Sequence, residues 1–455
     1  MDHAKQLGEV SIGRLLLKFS IPAIVGLLST ALYNIIDRIF VGHGVGLLAI
    51  TATTVVFPIA IIILAFGLMI GIGASVSISI KLGQNNRQEA EHILGNAFSL
   101  TIIISIFVTV LGLIFQEDLL EMFGASKEVL PLAKQFVTII LAGTLFQIIG
   151  FVFNNIIRSE GNPTMAMIIM VFGTVLNTAL NPLFIFVLHL GIRGSALATV
   201  ISQFITAIWM LTYFIGRNSA LKFKIKNFVL NFGITRQIIS IGMSAFIFQV
   251  ISSVIMIIFN QSLKVSGGDV AIAAMGIINS IAMLILMPIF GVNQGAQPII
   301  GYNYGAKNYD RVRKTIKLAI IAATCIATAG FIVVELFPRQ ILSLFSSQNA
   351  EMAAMLDIGT PAIRVFLMML PITGLPIVGS NFFQAIGKAR VSIFLSLSKQ
   401  VLFQVPLLFI LPHYFKLMGI WAAGPVSDLL SALLIIFFLM RELGKNRLEQ
   451  QDALI

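Results

Sequence analysis

Gly73-Ala74 and Gly83-Gln84-Asn85-Asn86 return later in the chain as Gly295-Ala296 and Gly305-Ala306-Lys307-Asn308. Phe115 and Phe123 return as Phe337 and Phe345. Every one of these correspondences has the same offset, 222 residues. Gly161 and Gly387 are offset by 226, so small insertions have accumulated along the second half. Matches in one register across 455 residues describe a chain built twice, and a long hydrophobic chain of two like halves has the layout of a transporter.

The composition says where such a chain lives. Apolar residues make up 58% and charged residues 11%, and the mean hydropathy is +0.98. A surface made from this mixture cannot face water, so lipid is its solvent. The net charge of +11 does not point to nucleic acid, because no basic patch is interleaved with aromatic residues. Basic residues of a membrane protein collect instead in cytoplasmic loops. The one cysteine, Cys325, lies in an apolar run and is expected to be a small buried hydrophobe; no disulfide within the chain is available to it. Met1 to Lys18 is polar and mixed in charge, so no cleavable signal is expected and the first span directs insertion.

With about 20 apolar residues needed per span, twelve segments qualify: roughly 15–40, 50–80, 92–116, 131–157, 163–187, 193–216, 234–262, 270–302, 313–337, 354–386, 389–412 and 417–441. The fold class expected is therefore an all-α integral membrane protein of twelve transmembrane helices. They form two six-helix lobes related by a pseudo-twofold axis. The N-lobe is 1–216, a polar linker is 217–233, and the C-lobe is 234–455. The linker alternates Lys222, Lys224 and Lys226 with Phe and Ile, a pattern that suits a segment lying on the membrane surface. Sorting the 30 basic residues by side places 21 with the termini and the linker and 7 opposite, with Arg364 and Lys399 inside spans. That asymmetry puts both termini in the cytoplasm and both halves in the same orientation, with a substrate cavity expected between them.

Asp37, in Tyr33-Asn34-Ile35-Ile36-Asp37-Arg38, is the strongest chemical signal. A carboxylate in hydrocarbon costs several kcal/mol unless it has a partner or a duty. Arg38 is a poor partner, because sequence neighbours point about 100° apart on a helix, whereas Asn34 lies one turn away on the same face. The fifth span adds Asn177 and Asn181 on one face, and the sixth adds Ser195, Thr199 and Ser202 on one face. A carboxylate, two carboxamides and a hydroxyl are hard oxygen ligands of low total charge. They suit Na⁺ or a proton relay centred on the acid, and they are equally the groups that hydrogen-bond helices together in membranes. Asn154, Gln249, Asn279 and Gln294 are candidates for lining a substrate cavity, with 36 Phe and 18 Met to make it adaptable. Asp428 in the last span is expected to pair with Lys399 or Arg364. Pro22, fifteen residues before Asp37, can bend the first helix. No nucleotide loop, paired-Asp cluster or His cluster appears, so neither an enzyme nor a resident cofactor is expected.

From about 11 to 441 the chain resembles the multidrug and toxic compound extrusion (MATE) family, most of all its bacterial MepA-type branch. The residues that carry the resemblance are Pro22 and Tyr33-Asn34…Asp37, the Gly83 loop, and Arg158-Ser159-Glu160-Gly161-Asn162-Pro163. To these are added Asn181-Pro182, Gly194-Ser195-Ala196-Leu197-Ala198-Thr199, the stretch Gly291 to Gly305, and Phe383-Gln384-Ala385-Ile386-Gly387. The resemblance implies a two-lobe antiporter of the bacterial plasma membrane, exporting cationic or amphipathic small molecules in exchange for Na⁺ or H⁺. It implies that Asp37 is the coupling residue, with Asn177 and Thr199 as its partners. Some relatives carry a second Asp where this chain has Asn181, and the acidic second-lobe site of another branch is absent. A monomer in the bilayer is expected. The alternatives are a lipid-linked precursor flippase of the same superfamily, which would need an Arg-rich cavity, and a non-transporting receptor or scaffold.

Overall fold

In the computed structural model the described residues are 4–216, 219–343 and 350–444, and their regular secondary structure is helical throughout. The long helices are α1 (Ile12–Gly44), α2 (Leu47–Gly83), α3 (Arg87–Ile114), α4 (Leu130–Ala142), α5 (Thr144–Ser159), α6 (Pro163–Pro182) and α7 (Ile192–Ile215). They continue with α8 (Phe232–Gly305), α9 (Tyr309–Leu336), α10 (Ala350–Leu367), α11 (Leu370–Ala385), α12 (Ala389–Leu397) and α13 (Val405–Leu443). Helices satisfy their own backbone groups, which is the condition for crossing lipid.

Nine described helical segments are long and apolar enough to cross a membrane, and two bent pairs, α4 with α5 at 52° and α10 with α11 at 45°, bring the number to eleven. Helix α8 carries two of these spans, Phe232–Gly267 and Ala274–Gly305. The stretch Ala389–Leu443 counts as one of the nine but breaks at Lys416, where φ is 49°. At 1.5 Å per residue its 55 residues are far longer than one bilayer crossing. Dividing it at the break gives the twelve spans that the hydropathy pattern requires.

The repeat extends to the backbone conformation. Asn85 and Lys307, offset by 222, both take left-handed φ values, 57° and 59°. Gly161 and Gly387, offset by 226, have φ of 101° and 78°. His189 and Lys416, offset by 227, have 53° and 49°. Left-handed backbone is costly for side chains other than Gly and Asn, so its recurrence at matching turns shows that the turns themselves are duplicated.

Contacts group the chain into two compact units. One holds Met1–Ser11, Ile21–Gln249 and Gly301–Lys307; the other holds Ile12–Ser20, Val250–Ile300 and Asn308–Ile455. Close helix crossings at glycine account for the exchanged ends. Within the first unit a Cβ on Gly73 would lie 2.0 Å from the Ile238 carbonyl oxygen, and one on Gly242 would lie 1.7 Å from that of Met69. In the second unit a Cβ on Gly295 would meet the Ser20 amide nitrogen at 2.8 Å. The last turns of α2 and α8 cross reciprocally: a Cβ on Gly83 would lie 2.0 Å from the Tyr302 carbonyl oxygen, and one on Gly305 would lie 2.1 Å from that of Ile80. Both glycines and both carbonyls are 222 residues apart, so this crossing obeys a local twofold.

One expectation fails. Cys325 lies on the exposed side of α9 rather than in the interior. An apolar run in a lipid-facing helix is apolar on both sides, so hydropathy alone does not tell inside from outside.

Because backbone stands against backbone at the Gly83 and Gly305 crossing, an added methyl group has nowhere to go. Gly83→Ala and Gly305→Ala should each destabilise the protein by about 1–3 kcal/mol, seen as a lower thermal midpoint in detergent. The double variant should cost less than the sum, since both clashes are relieved by one separation of the helices.

Candidate functional site

Three helices of the first unit each present a pair of polar residues one turn apart. Helix α1 gives Tyr33 and Asp37, α6 gives Asn177 and Asn181, and α7 gives Ser195 and Thr199. Spacing of four puts each pair on one helix face. Local features bring the faces together. Gly194 lets α7 approach the backbone of Phe184 to 3.0 Å, measured to the Cβ it lacks. Pro182 ends the regular bonding of α6, which widens into a π-helical turn over Leu183–Val187, two residues beyond Asn181. Such widening is frequent at functional positions.

The six side chains form one connected network. The Asn181 carboxamide donates to Asp37 Oδ1 at 2.8 Å, and the Ser195 hydroxyl donates to the same oxygen at 2.8 Å. Asn181 Nδ2 also donates to Asn177 Oδ1 at 2.8 Å. Asn177 Nδ2 donates to Thr199 Oγ1 at 3.2 Å, and Thr199 shares a 3.1 Å hydrogen bond with the Tyr33 hydroxyl. Asn177, Asn181, Ser195 and Thr199 are all buried. No ion pair reaches Asp37 among the described residues. Both donors converge on Oδ1, and the buried Asn181 Oδ1 receives no hydrogen bond. The carboxylate thus sits among neutral dipoles, with acceptor oxygens left for a cation or for an added proton.

The structure therefore gathers Asp37, Asn177, Asn181 and Thr199, four of the five residues nominated for cation coupling. The side chain of the fifth, Asn34, lies outside the described residues. Tyr33 was not nominated. The signal for it was available, because it stands four residues before Asp37 on the same face. Ser195 bonds the carboxylate directly, which its place on the Thr199 face did not by itself indicate.

The residues nominated for a substrate cavity have separate fates. Asn154 is spent on structure: it is buried on α5, donates to the Ala166 carbonyl oxygen at 2.9 Å and accepts from the Arg158 guanidinium. Gln249, Asn279 and Gln294 lie half-buried along α8, the first in one unit and the others in the second. Within the second unit Lys399 and Asp428 form an ion pair at 2.5 Å, the first of the two pairings expected for Asp428. Arg364 pairs instead with Glu335 at 3.2 Å. Pro22 falls inside α1, next to the point where the helix passes from one unit to the other, between Ser20 and Ile21.

The turn between α5 and α6 holds a buried acid of its own. Glu160 accepts from the Ser219 hydroxyl at 2.7 Å and from the Leu221 amide at 3.3 Å. Only 1% of it is exposed, and burial pushes its carboxyl up to about 7, against hydrogen bonds that pull the other way.

Comparison with known proteins agrees with this architecture. The MatE family model matches residues 22–183 and 242–410, and the chain belongs to that family. The Multidrug export protein MepA of Staphylococcus haemolyticus is 27% identical over 445 residues, covering 98% of this chain and 96% of the relative. That of a bovine Staphylococcus aureus strain is 26% identical, with 94% of each covered. Among solved structures, a MATE transporter in the bent conformation superposes with a TM-score of 0.93 at 25% identity, over 100% of this chain and 99% of the other. An outward-facing multidrug resistance MATE transporter gives 0.90 at 26%, over 96% and 97%. A Pyrococcus furiosus transporter of the MOP superfamily, described as having a reversed pocket polarity that suggests a different function, gives 0.91 at 27%, over 97% and 98%.

The raised Glu160 carboxyl fixes the sign of a pH effect. Between its ordinary value near 4.5 and about 7 the folded protein holds a proton that the unfolded chain releases. Its contribution to stability is therefore complete below about 4.5 and is lost as pH rises through about 7. Glu160→Gln should remove this dependence and be the more stable protein at pH 8, by up to about 3 kcal/mol. Thermal midpoints of the two proteins from pH 5 to pH 8 check this.

Proposed function

We propose that this chain is a cation-coupled multidrug antiporter that exports cationic or amphipathic organic compounds across a bacterial plasma membrane, with both termini in the cytoplasm. The observation that carries the reading is Asp37, a carboxylate within a membrane span, held by two neutral donors and in no ion pair among the described residues. Two charge-assisted hydrogen bonds offset about 3–6 kcal/mol of its desolvation, which leaves the ion tolerable but still favourable to neutralise. Na⁺ would use Asp37, Asn177, Asn181 and Thr199 as oxygen ligands; a proton would sit on Asp37 alone. The family relatives named for multidrug export support the cargo class.

Coupling follows from alternating access. If the cation and the cargo favour different arrangements of the same helices, each lowers the affinity for the other, and an inward cation gradient drives cargo out. A potential of 100 mV adds about 2.3 kcal/mol per elementary charge moved. Pro22 lies within the helix that carries Asp37, so a change of bend there is a route from the charge to the rest of the molecule. Export is favoured over the flippase alternative because Arg364, the one candidate that the sequence offers for a pyrophosphate, is paired with Glu335.

Everted vesicles loaded by a sodium gradient and, separately, by a proton gradient should accumulate a cationic dye under one of them. Asp37→Asn should reach the membrane in normal amount and keep the same thermal midpoint, but lose at least about tenfold in transport, corresponding to about 1.4 kcal/mol of lost coupling. Transport at the wild-type rate by Asp37→Asn would refute the assignment.

A further inference from the structure

The linker between the halves builds a second charged feature, far in sequence from the Asp37 network. Residues 219–233 are not a loose tether. Asn96 of α3 donates to the carbonyl oxygens of Asn227 and Val229 at 3.2 and 3.4 Å, and Ser99 donates to that of Phe228 at 2.6 Å. Gly95 admits the linker backbone so closely that a Cβ there would stand 2.4 Å from the Asn227 carbonyl oxygen. Phe223 inserts among Phe98, Phe153, Phe214 and Phe228, with ring centroids 5.6 to 5.9 Å apart.

With Phe223 turned inward, the lysines on either side of it are turned out. Lys222, Lys224 and Lys226 line a cleft of about 550 Å³ together with Arg87, Gln88 and Glu91 from the start of α3. Four cations meet one carboxylate. Glu91 is buried and is shared by Arg87, at 3.6 Å, and Lys224. Lys222 and Lys226 face no carboxylate among the described residues, and Lys222 donates to the Gly216 carbonyl oxygen. The same segment carries Ile225, Val229 and Phe232, which are 87%, 76% and 82% exposed. In a membrane protein such side chains beside a helix end are at the level where headgroups give way to acyl chains.

We infer that this cleft is a binding site for the headgroup of an anionic phospholipid, with its phosphate held between the Lys222 and Lys226 ammonium groups and the Arg87 guanidinium, and its chains laid along Ile225, Val229 and Phe232. A guanidinium suits a phosphate oxygen pair and the lysines act as point charges. Basic pockets at the cytoplasmic ends of membrane helices bind anionic headgroups through this chemistry. A bound lipid would also tie the linker, and hence the join between the halves, to the bilayer.

The test uses the purified full-length protein, titrated with phosphatidylglycerol, with phosphatidylcholine and with inorganic phosphate, bound lipid being counted by native mass spectrometry. Each neutralised lysine should weaken phosphatidylglycerol binding about fivefold, so Lys222→Gln with Lys226→Gln should weaken it about thirtyfold. Lys222→Arg with Lys226→Arg should bind as the wild type does. Lys224 is left in place because Glu91 depends on it, so the thermal midpoint in phosphatidylcholine should not move. Equal binding of the two lipids, unchanged binding by the Gln variant, or inorganic phosphate binding as tightly as phosphatidylglycerol would each overturn the site. The readout involves neither cargo nor coupling ion, so it succeeds or fails independently of the transport reading.

Discussion

A carboxylate held by neutral hydrogen-bond donors and closed into no ion pair is the constraint on which the rest of this molecule depends. Asp37 is part-buried and joins no ion pair among the described residues; its hydrogen bonds come from Asn181 and Ser195, while Arg38, next in sequence, attracts it without closing on it. Had Arg38 or Arg364 closed on it, the pair would have been permanent and mute. Neutral donors make a different object: a site that tolerates the ion without cancelling its charge, which is what the proposed coupling requires. The cost of maintaining it explains the care taken around it, with three helices supplying paired residues, Gly194 permitting the close approach, and the π-helical turn after Pro182 placing Asn181.

The duplication supplies the scaffold and then breaks its own symmetry. The crossing of α2 with the end of α8 is a near-perfect local twofold, with glycine against carbonyl in both directions. The left-handed turns recur with it. The chemistry does not recur. The first unit holds Asp37, which joins no ion pair among the described residues, whereas in the second Asp428 is paired with Lys399 and the buried Glu442 with Lys388.

Much of this was legible in the sequence. The 222-residue offset and the twelve apolar segments lead to the fold, because periodic glycines and span lengths are direct consequences of helix packing and bilayer thickness. The i,i+4 pairs of Asn177 with Asn181 and the Ser195 to Thr199 face lead to the site. What was hidden has physical causes. Asn154 looks like a cavity residue until its neighbour Arg158 is seen to require it, and a contact with Ala166 twelve residues on is invisible to spacing rules. Cys325 shows that a lipid-facing surface and an interior have the same hydropathy. The exchanged ends of α1 and α8 arise from crossings between residues far apart in sequence, which no local pattern encodes.

The most direct measurement of the central idea is the affinity of the purified protein for a lipophilic cation such as tetraphenylphosphonium, taken across a series of pH values and sodium concentrations. Linkage requires that the coupling ion and the cargo weaken each other by the same factor, and that Asp37→Asn abolish the dependence. The account expects a wild-type affinity that falls as protons or sodium are added and a variant affinity that stays flat. A wild-type affinity indifferent to both ions, or a variant that responds as the wild type does, would contradict it.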